Sequence, residues 1–184
     1  MRILAVVGAR PNFVKVAPLI EEMSRHPDIE TTLVHTGQHY DYEMSRVFFE
    51  ELGIPEPDIN LEVGSGTAVK QAAEIMLRLE RVMEETQPDV VVVVGDVNST
   101  LAGALTAAKT GRPIAHVEAG LRSFDRSMPE EVNRVLTDAI SDFLFVTEPS
   151  GVENLRKVGR PKERIFFVGN VLIDALRRFL PHAK

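Results

Sequence analysis

The chain contains no cysteine and no tryptophan, and aromatic residues make up only 6% of its 184 positions. The absence of cysteine excludes disulfides, thiolate zinc sites and cysteine nucleophiles. Positive charge is also in short supply, because 21 Lys and Arg residues stand against 27 Asp and Glu residues, giving a net charge of −6. Such a chain offers no basic field to a polyanion, so we expect no nucleic-acid partner.

Long hydrophobic runs are missing as well. The longest apolar stretches are strand-sized, far below the roughly 20 residues of a membrane-spanning helix, so we expect no membrane association. The opening segment Met1–Gly8 is too short for the apolar region of a signal peptide and indicates a first strand instead. Together with the lack of cysteine, these features predict a cytoplasmic protein.

The chain does contain a repeating pattern of short β-branched runs. They predict strands at residues 3–7, 32–36, 90–94, 114–117, 143–146 and 165–168. Segments long enough for crossover helices separate most of these runs, which indicates a parallel sheet with helices on both faces. The predicted fold is a Rossmann-like, doubly wound α/β sheet, with residues 1–170 as one domain and 171–184 as an interdomain helix or truncated tail.

Apolar residues at helical spacing predict the helices between these strands. The first helix begins at Pro11 and ends near His26, and Pro18 inside it is expected to kink the helix or cut it short. A second helix is predicted at Val69–Met83, and a further one at Leu172–Leu180.

Three acidic residues stand where predicted strands end or a predicted helix begins. Asp96 follows a run of five valines, Glu118 follows the next strand, and Glu131 lies in the first turn of a helix. Doubly wound sheets bind ligands beyond the carboxyl ends of their strands, so the three acids are predicted to converge on one crevice.

Each acid also has a structural interpretation that the residues leave open. Asp96 can satisfy backbone donors ahead of the next helix, although good N-cap residues follow it. Glu118 can form an ion pair with Arg122 within a tight turn. Glu131 stands where the helix dipole favours an acid whatever its other role, and for this residue the structural interpretation is the stronger one.

The loop after the first strand carries one glycine, in place of the G-x-G-x-x-G of dinucleotide-binding folds. Arg10 and Lys15 flank the helix that follows. Free amides and the helix dipole at such a start favour an anion, so the two cations predict a phosphate site. The alternative is that both are ordinary surface cations.

Neither histidine near a strand end supports a metal site. His39 is expected to form a turn, with contact to a ligand as the alternative, and His116 is expected to be a core histidine. Residues 116–118 read H-x-E, but the zinc deaminases with this spacing also use cysteine ligands, which this chain lacks. We therefore predict no metal and no cofactor.

Five segments together resemble the non-hydrolysing UDP-N-acetylglucosamine 2-epimerases, in the right order and across nearly the entire chain. They are GARPNFVKVAPL at 8–19, HTGQHYDYEMSRVFF at 35–49, VVGDVNSTLAGALTAA at 93–108, HVEAGLRSFDRSMPEEVNR at 116–134 and VGNVLIDAL at 168–176. The fourth block is the most specific. The resemblance implies two Rossmann-like domains in a glycosyltransferase-B arrangement, with the substrate in the cleft between them and this chain as the N-terminal domain.

The resemblance further implies reversible epimerisation at C2 of the sugar, giving UDP-N-acetylmannosamine through elimination of UDP and its re-addition to 2-acetamidoglucal. Asp96, Glu118 and Glu131 match the catalytic acids of the family. Arg10 matches a residue that contacts the nucleotide diphosphate, and Lys15 completes the same motif. Dimers are common in the family, so the resemblance is compatible with a homodimer, but the sequence itself does not give the oligomeric state.

Two departures from the family pattern bear on the activity. The catalytic histidine of the family and most nucleotide contacts lie in a second domain absent from this sequence, so the isolated chain is expected to lack useful turnover. The segment GQHYDYEMS resembles archaeal members and 2-epimerases acting on UDP-diacetamido-uronic acids. A hydrolysing 2-epimerase and a catalytically silent UDP-sugar-binding module are also compatible with the sequence.

Overall fold

The computed structural model describes residues 1–37 and 56–180, apart from the side chains of Arg10, Arg178 and Phe179. His39, and the segment GQHYDYEMS beyond its first glycine, lie outside the described residues. Within the described part of the chain, no helix is long and apolar enough to cross a membrane.

The described residues form a seven-stranded parallel sheet with the order β3-β2-β1-β4-β5-β6-β7. Its strands are β1 (Arg2–Val7), β2 (Glu30–His35), β3 (Ile59–Asn60), β4 (Val90–Val94), β5 (Ile114–Val117), β6 (Phe143–Val146) and β7 (Ile165–Phe167). The predicted Rossmann-like fold is confirmed. Sequence reasoning missed β3 because its two residues, Ile59 and Asn60, are too few to form a β-branched run.

Helices connect the strands. They are α1 (Arg10–Ser24), α2 (Ala68–Thr86), α3 (Asn98–Lys109), α4 (Pro129–Ile140), α5 (Pro149–Lys157) and α6 (Val171–Phe179), with a short 3₁₀ helix at Lys162–Arg164 before β7. The prediction that Pro18 cuts the first helix short is wrong, because α1 continues six residues beyond it. The apolar face on both sides of Pro18 is buried against the sheet, as shown by Val16 and Ile20, and this packing outweighs the missing amide donor.

The five valines of β4 alternate between two hydrophobic clusters. Val92 and Val94 pack with α1 on one face of the sheet, while Val91 and Val93 pack with α2 and α3 on the other. Burying each such side chain stabilises the fold by roughly 1.5–3 kcal/mol. A strand covered on both faces therefore has no polar position, which explains the unbroken apolar run.

The strand order reverses between β1 and β4, and their connections leave on opposite faces. Such a switch point opens a crevice at the carboxyl ends of the two strands. Gly8, at the end of β1, lies tightly against the neighbouring loops. A Cβ atom on Gly8 would lie 1.9 Å from Oγ of Ser99 and 2.7 Å from Oγ1 of Thr36. The single glycine of the first loop is thus required by close packing of the chain at the switch point.

Candidate active site

Asp96 and Glu118 follow neighbouring strands of the sheet, and the backbone joins the two loops. β4 and β5 are paired through Val94 and Val117, and the Gly95 amide donates to the carbonyl of Val117 at 3.0 Å. The strand ends thus place Asp96 and Glu118 at the same edge. The sheet register accounts for this part of the predicted convergence.

Glu118 is paired with Lys15. The Nζ atom of Lys15 contacts Oε2 of Glu118, and the two side chains are only 14% and 8% exposed. Gly95 leaves room for this pair, because a Cβ atom there would lie 3.3 Å from Nζ of Lys15 and 3.6 Å from Oε2 of Glu118. The alternative interpretation of Glu118, an ion pair with Arg122, is wrong, since Arg122 contacts Asp138 instead, at 2.6 Å.

Glu118 also has an unusual backbone conformation. Its φ angle is +70°, in the left-handed region that side chains rarely adopt. Such conformations cost free energy, on the order of 1–3 kcal/mol, and persist only where the surrounding contacts impose them. The turn after β5 therefore holds Glu118 in a fixed, strained position.

Asp96 is held by two adjacent residues of α4. The Nη2 atom of Arg134 lies 2.5 Å from Oδ2 of Asp96, and the Nδ2 atom of Asn133 donates to the carbonyl of Asp96 at 2.8 Å. The capping interpretation finds no support, because the N-cap of α3 is Val97, without a side-chain cap. The side chain of Asp96 keeps 26% of its surface exposed, so its carboxylate is both oriented and accessible to solvent.

Glu131 is buried and accepts four hydrogen bonds. They come from the Ser123 amide at 2.8 Å, the Ser123 hydroxyl at 3.1 Å, the Phe124 amide at 3.2 Å and Nη1 of Arg134 at 3.1 Å. Burial raises the pKa of Glu131, but the donors of Ser123, Arg134 and Phe124 outweigh burial and lower that pKa below its ordinary value of 4.5. Glu131 is therefore a carboxylate that pins the loop before α4.

Arg134 unites two of the three acids. Its guanidinium donates through Nη2 to Asp96 and through Nη1 to Glu131. Burial by itself lowers the pKa of Arg134, but coulombic attraction to Asp96 and Glu131 and the hydrogen bonds that Arg134 donates to both acids raise it above its ordinary value. Sequence reasoning missed Arg134, although its position three residues after Glu131 places the two on one helix face.

Asn12, in the first turn of α1, satisfies backbone amides at the start of the helix. Oδ1 of Asn12 accepts from the amides of Gly8 and Ala9 at 3.4 and 3.2 Å, and Pro11 has no amide hydrogen. Within the first turn itself, the Asn12 amide donates to the carbonyl of Ala9 at 2.9 Å. The expectation of free amides at this helix start is therefore wrong for Pro11 and Asn12. Nδ2 of Asn12 also donates to the carbonyl of Val94 at 2.8 Å, which ties α1 to the end of β4.

The two predicted cations lie at this same edge. Arg10 is the first residue of α1, directly after β1, and Lys15 lies one helical turn further on. Lys15 is therefore not an ordinary surface cation, because its ammonium group is largely buried against Glu118. Each of the acids Asp96, Glu118 and Glu131 thus has a cationic partner at the crevice.

His116 is completely buried, as predicted. Both ring nitrogens have partners: Nδ1 lies 2.7 Å from Oδ1 of Asp138, and Nε2 lies 2.8 Å from the carbonyl of Gly95. Asp138 was not found from the sequence, because only the packing of α4 against β5 brings it near. Among residues 1–37 and 56–180, no group of three His, Asp or Glu side chains is arranged to hold a metal ion.

Comparison with known proteins supports the resemblance. A family model described as UDP-N-acetylglucosamine 2-epimerase matches residues 21–184. A UDP-N-acetylglucosamine 2-epimerase homolog of Methanococcus maripaludis is 51% identical over 96% of this chain and 48% of its own length. A UDP-2,3-diacetamido-2,3-dideoxy-D-glucuronate 2-epimerase of Pseudomonas aeruginosa is 44% identical over 100% of this chain and 52% of its own length.

Solved structures agree with the sequence relatives. The crystal structure of the Methanocaldococcus jannaschii UDP-GlcNAc 2-epimerase in complex with UDP-GlcNAc and UDP has a TM-score of 0.96 and 46% identity, over 99% of this chain and 50% of that one. A lipopolysaccharide outer core galactosyltransferase, at 17% identity and a TM-score of 0.64 over 92% of this chain and 46% of that one, shares the fold alone. The chain spans about half the length of the curated relatives it matches. It belongs to the UDP-N-acetylglucosamine 2-epimerase family and corresponds to the N-terminal domain of that family's members.

Proposed function

We propose that the chain is half of an enzyme that interconverts UDP-N-acetylglucosamine and UDP-N-acetylmannosamine by eliminating and re-adding UDP. The observation that carries the proposal is the arrangement of three acids, each paired with a cation, at the switch-point edge of a domain of this family. A relative 46% identical to the chain has been crystallised with UDP-GlcNAc and UDP.

The chemistry requires this kind of site. The C2 proton has no neighbouring carbonyl to acidify it, so departure of UDP with the C1–O electron pair must first build positive charge on the sugar. Carboxylates nearby stabilise that charge. A base then takes the C2 proton and a C1–C2 double bond forms. Return of a proton to the opposite face of C2, with re-addition of UDP to C1 on its original face, gives the epimer.

The contacts of each acid suggest its role. Asp96 is the proposed base, because its oriented carboxylate is the most exposed of the three. Glu118, fixed beside Lys15, is the proposed stabiliser of the positive sugar. Glu131 has its oxygens occupied by hydrogen bonds, so its proposed role is to hold Arg134 and the preceding loop in place.

The diphosphate contact is assigned to Arg10, from its match to the family motif and from its position directly after β1. Lys15 is proposed to contribute positive charge on the same side of the crevice. We assign residues 1–170 to this domain and propose that α6, which packs against α1, leads into a second domain that closes the cleft. A homodimer and a cytoplasmic location stay predictions.

Deuterium exchange provides the test. The full-length protein is incubated with UDP-N-acetylglucosamine in D₂O, and the products are followed by proton NMR. We expect UDP-N-acetylmannosamine with deuterium at C2, because the proton leaves to solvent and returns from it. Product without deuterium would contradict a solvent-exchanging base, and free N-acetylmannosamine would identify a hydrolysing enzyme. Nucleotide binding without turnover would identify a silent module.

A second substrate is favoured by one specific comparison. The Pseudomonas aeruginosa relative named for UDP-2,3-diacetamido-2,3-dideoxy-D-glucuronate is 44% identical and covers the chain completely. The same exchange experiment with that nucleotide sugar separates the two substrates. Faster exchange with the uronic acid would replace UDP-N-acetylglucosamine as the assigned substrate while keeping the reaction type.

A further inference from the structure

A buried polar group lies beneath the two strand ends that carry Asp96 and Glu118. It consists of His116, Asp138 and Arg122, whose side chains are 0%, 1% and 6% exposed. Buried ionisable side chains are costly unless each is paired and hydrogen-bonded. The hydrogen bonds within this group therefore indicate which of its side chains are protonated.

The acceptors around the ring decide how many protons His116 carries. Nε2 lies 2.8 Å from the Gly95 carbonyl, which can only accept, so Nε2 must donate. Nδ1 lies 2.7 Å from Oδ1 of Asp138, where it donates if Asp138 is ionised and accepts if Asp138 is protonated.

The surroundings of Asp138 settle that choice. Its other oxygen, Oδ2, accepts from the Gly120 amide at 3.0 Å and lies 2.6 Å from Nη1 of Arg122. The Gly120 amide and the positive charge of Arg122 both favour the ionised carboxylate, whatever the state of His116. An ionised Asp138 leaves Nδ1 of His116 as a donor, so both ring nitrogens carry hydrogen.

The same hydrogen bonds hold the backbone on both sides of the candidate acids. Nε2 of His116 fixes the carbonyl of Gly95, the residue just before Asp96. Oδ2 of Asp138 fixes the amide of Gly120, two residues after Glu118. His116 itself lies two residues before Glu118, so the strained position of Glu118 is enclosed by two anchors of one buried group.

Gly120 is held on its other side as well. A Cβ atom there would lie 2.4 Å from the carbonyl oxygen of Gly151, and the Gly120 carbonyl accepts from Nδ2 of Asn154 at 3.0 Å. The turn after β5 is thus clamped between α4 and α5. Because Gly120 is held on both sides, a shift of the Asp138 carboxylate would displace the turn that carries Glu118.

We propose that His116 is a buried, doubly protonated imidazolium that acts with Asp138 as a positioning pair, setting the backbone geometry of Asp96 and Glu118 for the reaction. This inference rests on the proposed epimerase function. Neither residue needs to touch the sugar. With Arg122 included, two positive charges stand against one negative charge, so the group also leaves a net positive charge beneath the edge at which an anionic leaving group would depart.

The first test reads the protons directly. Nitrogen NMR of the full-length wild-type protein, labelled with ¹⁵N in histidine, is recorded at neutral pH. We expect the His116 ring to show a directly bonded hydrogen on both nitrogens. A ring with one protonated and one bare nitrogen would overturn the imidazolium. This measurement needs neither turnover nor a variant that folds.

The second test separates positioning from simple stability. In His116→Gln, the amide nitrogen can replace the Nε2 donor to Gly95, but the donor to Asp138 and the charge are lost. We expect kcat for epimerisation to fall about 10- to 100-fold, as misplacement of reacting groups by about 1 Å does, while KM and UDP affinity change less than about threefold. Asp138→Asn is expected to behave in the same way, and the exposed His26→Gln serves as the matched control.

Each outcome decides the inference. Full kcat in a folded His116→Gln protein overturns the positioning role, and so does a parallel loss of kcat and UDP affinity, which a general disturbance of the fold would produce. If His116→Gln does not fold, Asp138→Asn supplies the same comparison. If the wild-type protein binds UDP but does not epimerise, both the proposed function and the positioning role are wrong. The ring-proton measurement still tests whether His116 is an imidazolium.

Discussion

The guanidinium of Arg134 lies against the carboxylate of Asp96, with Nη2 and Oδ2 2.5 Å apart, although 38 positions separate the two residues in the chain. The same guanidinium reaches Glu131 through its second terminal nitrogen. One fixed fork therefore sets the separation and orientation of two candidate acids. Arginine suits this position because its planar group presents several donors in a rigid arrangement.

Replacing Arg134 by lysine is expected to lower turnover. A single ammonium group on a flexible chain cannot reproduce both contacts, and losing one charged hydrogen bond typically costs about 1.5–3 kcal/mol, or about 10- to 150-fold. We expect a decrease of that size in kcat of the full-length protein. Arg81→Lys, on the exposed surface of α2, is the matched control, and unchanged kcat in Arg134→Lys would remove Arg134 from the site.

The amide variants of the three acids are expected to differ from one another. Asp96→Asn should lower kcat by about 10²- to 10⁴-fold, the usual contribution of acid–base groups, with little change in thermal stability. Glu118→Gln should lower kcat and also the melting temperature, because it leaves Lys15 largely buried without its charged partner. Glu131→Gln should lower both kcat and the melting temperature, because an amide cannot accept the four hydrogen bonds of the carboxylate. Activity assays and thermal denaturation measure the two effects.

The neighbouring acid Glu130 provides the control for this series, because it is exposed in the same helical turn. Glu130→Gln should change neither quantity. If Glu131→Gln keeps full stability, the hydrogen bonds to Ser123 and Phe124 contribute nothing measurable. If Asp96→Asn keeps full turnover, Asp96 is not the base.

Arg10→Ala is expected to weaken UDP binding. Loss of a charged hydrogen bond to the diphosphate should reduce affinity about 10- to 150-fold, as measured by titration calorimetry on the full-length protein. Arg25→Ala, at the far end of α1, serves as the control because its exposed side chain pairs with nearby glutamates. Equal affinities of wild type and Arg10→Ala would identify Arg10 as a surface cation.

Stability should fall in acid because of Asp138 and Glu131. The folded-state pKa of each carboxyl is lowered, from 3.8 for Asp138 and 4.5 for Glu131, so the unfolded chain binds their protons more tightly. Their contribution is then complete above about pH 5 and is lost as the pH falls through the lowered folded values. Denaturant unfolding of the wild type between pH 7 and pH 3 measures this loss.

Asp138→Asn should make that pH dependence shallower. At neutral pH it should also lower the free energy of unfolding by about 3–5 kcal/mol, since removing one partner of a buried pair leaves the other unpaired. Asp142→Asn, a half-exposed partner of Arg164 just beyond α4, is the control. An unaltered pH profile in Asp138→Asn would mean that Asp138 has the same pKa in the folded and unfolded states.

A polypeptide of residues 1–184 alone is expected to fold but not to epimerise. Its described residues form three clusters of buried hydrophobic side chains against the sheet, whereas the proposed cleft needs a second wall. A cooperative thermal transition without product by proton NMR would agree with this. Rapid interconversion by the isolated chain would show that no second domain is required.

The strand and helix pattern could be predicted because it is local. Continuous β-branched runs mark strands that are buried on both faces, and apolar residues at 3.6-residue spacing mark helices that bury one face. Six of the seven strands in the described residues follow from such runs. The acids could be placed at the correct edge for the same reason, since all strands of a parallel sheet end on one side. The family could be identified from the sequence because its motifs depend only on the order of residues along the chain.

The partners of those acids depended on the tertiary structure. Lys15 and Glu118 lie 103 positions apart, and Asp96 and Arg134 lie 38 apart, so their meeting depends on the register of β1, β4 and β5 and on the seating of the helices. In the sequence, the cation closest to Glu118 among its candidate partners is Arg122, four residues further on. In the folded structure, Arg122 forms an ion pair with Asp138 instead.

Sequence alone therefore determined the fold class, the family and the edge of the sheet that carries the acids, because each follows from local periodicity or from motif order. Tertiary structure alone decided how Pro18 is tolerated, which cation faces which acid, and how His116 and Asp138 meet. These outcomes depend on side chains from distant segments competing for the same buried space. A local sequence pattern cannot predict which of these distant side chains will pair.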